Sequence, residues 1–164
     1  MGKLMNIEND LKDFPVVTLE SGELLLHEGE RKNSIYFLKD GAVKVTQKGY
    51  EVAIIDEKGA VFGEMSLLLD HVHTASVECL RDSTFYRIDS PKSLCDKHPE
   101  INWHISRILA VRLFNLTQYL VDVKRQFEGH GHLDMVEEVL STLLNQNESS
   151  ILKRADSQRD TPDY

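Results

Sequence analysis

The residues best placed to do chemistry lie between Gly59 and Val77, GAVFGEMSLLLDHVHTASV. Gly63-Glu64 opens a short apolar segment, Met65 to Leu69. A polar loop, Asp70 to Val72, then leads into an alternating run from His73. Glycine at 63 lets the backbone approach a ligand closely. If Glu64 to Leu69 forms a helical turn, its first N–H groups lack intrahelical partners and make an anion site. The Glu64 carboxylate beside them would repel a bare phosphate but accept hydrogen bonds from sugar hydroxyls. The ligand class this suggests is a sugar next to a phosphate. The competing reading of Glu64 is a surface glutamate favoured by the dipole at a helix start.

A second chemistry shares the same residues. His71-Val72-His73, followed by Glu78, has the spacing of cupin metal sites, which also sit in β jelly rolls. Such a set would hold a transition metal for oxygen or hydrolytic chemistry. The match is partial. Met65 and Phe85 stand where that motif has glycines, and a regular strand would put His73 and Glu78 on opposite faces. The metalloenzyme is therefore the minor alternative. His130-Gly131-His132 reads as a solvated linker. There is no nucleophile elbow, Walker loop or supported carboxylate pair, so no enzyme, no metal and no cofactor are expected.

These residues need strands to position them. Val16 to Leu19 and Leu24 to His27 flank Glu20-Ser21-Gly22. Ser34 to Leu38 and Ala42 to Thr46 flank Lys39-Asp40-Gly41, a hairpin-type signal. Tyr50 to Ile55 follows Gln47-Lys48-Gly49. Thr74 to Cys79 and Thr84 to Ile88 are joined around Arg81-Asp82-Ser83. Short strands bounded so regularly by turn residues predict an antiparallel sandwich or jelly roll.

Helices frame the strands. Leu4, Ile7 and Leu11 predict a short amphipathic helix ending before Pro15. Ser90-Pro91 reads as an N-cap and first helical position, with that helix ending near His98. From Pro99 to Glu128 no proline or glycine intervenes. Leu109, Leu113, Leu116, Leu120, Val123 and Phe127 are spaced 4, 3, 4, 3, 4, which is a coiled-coil seam. It predicts a parallel homodimer; the competing reading is a helix packed on its own domain. Ile101, Ile105, Ile108 and Val111 broaden the face toward the β core. Leu133 to Leu144 predicts a second, shorter amphipathic helix, and the polar stretch from Asn145 is expected to be flexible.

Composition bounds the partners. With 19 basic and 27 acidic residues among 164, the net charge is −8, a poor attractor of nucleic acid or anionic membrane. Hydrophobic content of 41% and charged content of 28% fit an ordinary globular chain. Cys79 and Cys95 have no metal-type spacing and read as thiols in a reducing compartment. No signal peptide or membrane-length apolar run is visible, so a cytoplasmic location is expected.

Phe62-Gly63-Glu64-Met65-Ser66-Leu67-Leu68, with His73-Thr74-Ala75-Ser76-Val77 after the loop, closely resembles the phosphate-binding cassette of cyclic-nucleotide-binding domains. That family pattern is roughly F-G-E, a small residue and two leucines, a short loop, then R-[ST]-A-[ST]-V. The resemblance extends over Val16 to Phe127, with Gly22-Glu23-Leu24, Gly29-Glu30 and Lys39 to Val45 at the family's turns and strands. It implies a mostly β fold with helices (α+β): an antiparallel jelly roll, or β-roll, followed by a long dimerisation helix. The organisation expected is a β-roll with its N-terminal helix over residues 1–98, the long helix over 99–128, and a short helix with a tail over 129–164.

The resemblance also implies the ligand set: Phe62, Gly63, Glu64, Met65, Ser66, His73, Thr74, Ala75 and Tyr119. Glu64 would accept the ribose 2′-hydroxyl, Thr74 and the Ala75 amide would donate to the phosphate, and Ser66 would let the short helix pack closely. Tyr119, chosen over Thr117 and Gln118, would stack on the base or else be a rim residue beside the seam. His73 stands where the family has its phosphate-binding arginine. A histidine is shorter and, with an ordinary pKa of about 6.5, mostly neutral at pH 7. The function implied is a regulatory sensor that binds cyclic AMP or a related nucleotide, weakly, and signals to a partner protein. The alternative is a ligand-free dimeric interaction module. Too few residues follow the long helix for a winged helix-turn-helix, so no DNA binding is expected.

Overall fold

The computed structural model describes residues 7–89, 97–126 and 134–144. The chain divides within its long helix into two compact units, Met1–Leu109 and Ala110–Tyr164. Helix α1, Ile7–Leu11, precedes strands β1 (Val16–Leu19), β2 (Leu24–Leu26), β3 (Ser34–Asp40), β4 (Val43–Gln47), β5 (Tyr50–Ile55) and β6 (Val61–Phe62). Helix α2 is Glu64–Leu68, followed by β7 (Ser76–Cys79) and β8 (Ser83–Asp89). Helices α3, Pro99–Gln126, and α4, Asp134–Leu144, complete the described elements.

The strands form two four-stranded sheets, ordered β1-β8-β3-β6 and β2-β7-β4-β5. All their pairings are antiparallel. This is the jelly roll expected from the strand spacing. One core cluster fills the space between the sheets: Leu25, Leu26, Tyr36, Leu38, Val43, Phe62, Val77, Cys79 and Phe85. A second lies where Ile35, Phe37, Tyr86 and Ile88 meet Ile7 and Leu11 of α1 and Ile101 and Ile105 of α3. Strand β3 is thus buried on both faces, Tyr36 and Leu38 on one and Ile35 and Phe37 on the other.

The first turns of α3 pack on the β core as expected for Ile101, Ile105 and Ile108, whereas Val111 is exposed. Along the seam, Leu113 and Leu116 are each 46% exposed, and Leu120 and Val123 are half-buried. Phe127, the helix expected after Ser90, the glycine–histidine linker and the polar tail lie outside the described residues.

The turn read as a hairpin is something else. Among the described strands, the tight hairpin is that of β4 and β5. Gln47 pairs with Tyr50, and Lys48 and Gly49 both take positive φ, 50° and 80°. That is the left-handed pair a two-residue turn requires. Lys39-Asp40-Gly41 instead carries the chain from one sheet to the other, as does the segment from Leu80 to Asp82. The two corners are stapled together. The Ser83 hydroxyl, 1% exposed, accepts from the Ala42 N–H at 3.2 Å and donates to the Arg81 carbonyl at 2.7 Å. Arg81 donates to the Gly41 carbonyl at 2.9 Å. Replacing Ser83 by alanine strands the Ala42 N–H, and the expected loss in urea denaturation is about 1–3 kcal/mol.

Candidate functional site

Three pieces of chain build the site. The first is Phe62-Gly63-Glu64. Phe62 is 4% exposed and stands edge-on to Phe85, with ring centroids 6.3 Å apart. Its ring anchors the segment in the core between the sheets. Gly63 then turns with φ 86° and caps α2 with no side-chain hydrogen bond. A methyl on Gly63 would fall 2.8 Å from the Ser34 carbonyl oxygen, so β3 and this turn pass too closely for any side chain.

The second piece is α2. Glu64, its first residue, is 3% exposed, which excludes the surface-glutamate reading. Ser66 is buried, and its hydroxyl donates back to the Gly63 carbonyl at 2.9 Å, fastening the helix start. Leu67 packs beside the helical core cluster, and Met65 points outward at 44% exposure. The helix is closed at its far end by the Leu69 N–H on the Met65 carbonyl, 3.0 Å, and the His71 N–H on that of Ser66, 2.8 Å.

The third piece is the loop around His73. The His73 N–H donates to the Glu30 carbonyl, and its own carbonyl accepts from the Gly29 N–H, both at 2.8 Å. This clamp sets His73 as a buried residue, 3% exposed, beside Gly63: its Cε1 is 3.8 Å from where a Gly63 Cβ would lie. Its Nε2 is buried without a hydrogen-bond partner. Burial lowers the His73 pKa below its ordinary value, the nearby Lys32 ammonium pushes the same way, and Glu30 opposes. The ring is therefore neutral at pH 7. A clasp ties the same two loops: Arg31 contacts the Asp70 carboxylate at 2.6 Å and the Asp70 carbonyl at 2.9 Å. Asp70 itself takes a positive φ of 50°.

The structure brings Gly63, Glu64, Ser66 and His73 into one buried cassette. Thr74 and Ala75 are placed differently from expectation. The strand begins only at Ser76, so Thr74 is exposed and Ala75 half-buried in a bend. The clamp on Gly29 and Glu30 ends before β7 begins, which delays the regular pairing. Tyr119 belongs to the second unit and is 64% exposed. Sequence reasoning missed Ser34, Lys32 and the Arg31–Asp70 clasp, none of which carries a local signal. The His71 ring bonds the adjacent Val72 carbonyl at 2.8 Å, while Glu78 pairs with Lys44 at 3.2 Å. Among the described residues no three His, Cys, Asp or Glu side chains gather closely enough to hold a metal.

The two sheets, with a short helix between β6 and β7 that opens on a left-handed glycine and a buried carboxylate, define a β-roll. Residues 16–94 match the family model of the cyclic nucleotide-binding domain. The chain is similar to lysophospholipase nte1 of Neosartorya fischeri, 25% identical over 120 residues covering 68% of this chain. It is also similar to lysophospholipase NTE1 of Pyricularia oryzae, 25% identical over 147 residues, 85% of this chain. It spans only 8% and 9% of the length of these relatives. Among solved structures it resembles the Thermus thermophilus catabolite activator protein, with TM-score 0.58 and 19% identity over 96% of this chain and 84% of that one. It also resembles cAMP-bound PfPKA-R (141-441), with TM-score 0.53 and 22% identity over 70% of this chain and 43% of that one. At these identities the likeness is one of fold. No described helix is long and apolar enough to cross a membrane.

Proposed function

We propose that this chain is a regulatory sensor that takes a cyclic nucleotide, cyclic AMP or a relative, between Glu64 and His73 and passes the change to a partner protein. The observation that carries the reading is the buried, unpartnered Nε2 of His73 beside Gly63. An unsatisfied buried polar atom costs about 1–3 kcal/mol, and a ligand oxygen would relieve it. Glu64 supplies the acceptor for sugar hydroxyls from the adjoining helix start. The exposed leucines at 113 and 116 support a homodimer through α3. Binding would act on the partner only by favouring one of two states of the domain.

A second reading rests on a different observation. Glu64 and His73 are each only 3% exposed, so the cassette is closed as it stands. A ligand-free scaffold that binds proteins through its helices accounts for that closure. Capture of partners from lysate with and without cyclic AMP separates the two, nucleotide-independent capture favouring the scaffold.

Calorimetric titration with cyclic AMP and cyclic GMP at pH 6 and pH 8 tests the sensor. The sign of the pH effect follows from His73. Its pKa in the free protein is lowered, and a phosphate on Nε2 would raise it. Binding then takes up a proton between the two values, against the Lys32 charge and with that of Glu30. Affinity is expected to be tighter at pH 6 than at pH 8, by at most about tenfold per pH unit. A flat or reversed profile shows that His73 gains no proton on binding, and no heat at either pH leaves only the scaffold.

A further inference from the structure

The family resemblance puts the cation that meets a phosphate at position 73, where this chain holds a neutral, buried imidazole. A cyclic phosphate entering next to the Glu64 carboxylate still needs a positive charge nearby. We propose that Lys32, from the loop between β2 and β3, supplies that charge. The inference rests on the ligand-binding reading above and names the residue that makes it work at neutral pH.

Several observations converge on Lys32. Its loop is the one that clamps His73: Gly29 and Glu30 bond the His73 backbone on both sides, two residues before Lys32. The Lys32 ammonium donates to the Leu25 carbonyl at 3.1 Å, which holds it over β2. The next residue, Leu26, has its Cδ1 3.8 Å from where a Gly63 Cβ would lie. The lysine is thus tethered to the strand that borders the cassette turn. Its field reaches the buried ring, which it helps keep neutral.

The charge is also uncommitted. The neighbouring Arg31 is spent on the Asp70 carboxylate and carbonyl. Lys32 forms no ion pair among the described residues, and its one bond is to a neutral carbonyl. An ammonium has three donors, so two remain for an anion while the tether holds. The side chain is exposed and its stem has the rotamer freedom to follow a ligand. The chemistry this fits is a singly charged phosphodiester, met by one point charge rather than by a bidentate fork.

Titration of the full chain with cyclic AMP, and with adenosine as the uncharged comparison, tests the assignment. Lys32→Gln is expected to weaken cyclic AMP about three- to tenfold and to leave adenosine unchanged. Lys32→Arg is expected to stay within about twofold of the parent, because the charge is kept. Thermal unfolding of both variants should match the parent, the residue being exposed. Cyclic AMP affinity unchanged in Lys32→Gln, or weakened together with adenosine, overturns the role of Lys32 while leaving the sensor intact. A parent chain that binds neither compound overturns the sensor reading and this inference together.

Discussion

Gly63→Ala is expected to lower the stability of the first unit by roughly 2–4 kcal/mol, from left-handed strain together with overpacking. Two costs meet at this position. With φ at 86° the backbone is left-handed, where a Cβ crowds the following carbonyl. The added methyl would also sit 2.8 Å from the Ser34 carbonyl oxygen. That carbonyl cannot withdraw cheaply. Ser34 is the first residue of β3, its backbone is paired with Asp89 of β8, and its hydroxyl donates to the Asp89 carboxylate at 2.6 Å. The strain would therefore fall on the start of α2, displacing Glu64 from the place that burial gives it. Urea denaturation measures the loss, and nucleotide titration of the folded variant should show no binding. A midpoint within about 0.5 kcal/mol of the parent would mean that the turn relaxes freely and that glycine is not required there.

The jelly roll was legible because its strands alternate and end at turn residues. Val16–Leu19 and Tyr50–Ile55 begin and end where the pattern places them. The corners were not legible, because Lys39-Asp40-Gly41 carries the same turn chemistry in a hairpin and in a crossing between sheets. What decides is the close packing of Gly41 on Ser83, whose Cα would lie 2.7 Å from a Gly41 Cβ; the two residues are 42 positions apart. Strand β7 began two residues late for a similar reason. His73, the residue just before its expected start, is held by Gly29 and Glu30, far off in sequence. In the cassette, Gly63 and Glu64 declared themselves by type and spacing. The burial of His73 and the cations around it did not, since no local pattern tells which loop will close over a ring.

That closure makes position 73 decisive, and His73→Arg is expected to tighten cyclic AMP binding about ten- to a hundredfold, the worth of a charge-assisted pair. In the parent, burial keeps the ring uncharged, and Nε2 offers a phosphate at most one neutral hydrogen bond unless a proton is taken up. Arginine carries its charge at any working pH and presents two parallel N–H groups to a phosphate. The longer side chain would have to leave the space beside Gly63, where the His73 ring now lies, and reach toward the proposed ligand. Glu30, which already favours a positive charge at this position, would help hold it, and Lys32 would oppose. The pH profile should also flatten, because no proton is then needed on binding. Titration of the arginine variant beside His73→Gln, which keeps a neutral hydrogen-bonding group, isolates charge from shape. If the arginine variant unfolds at the parent's urea midpoint and binds no more tightly than the glutamine variant, no anion contacts position 73. The closed cassette is then a structural feature of an interaction module.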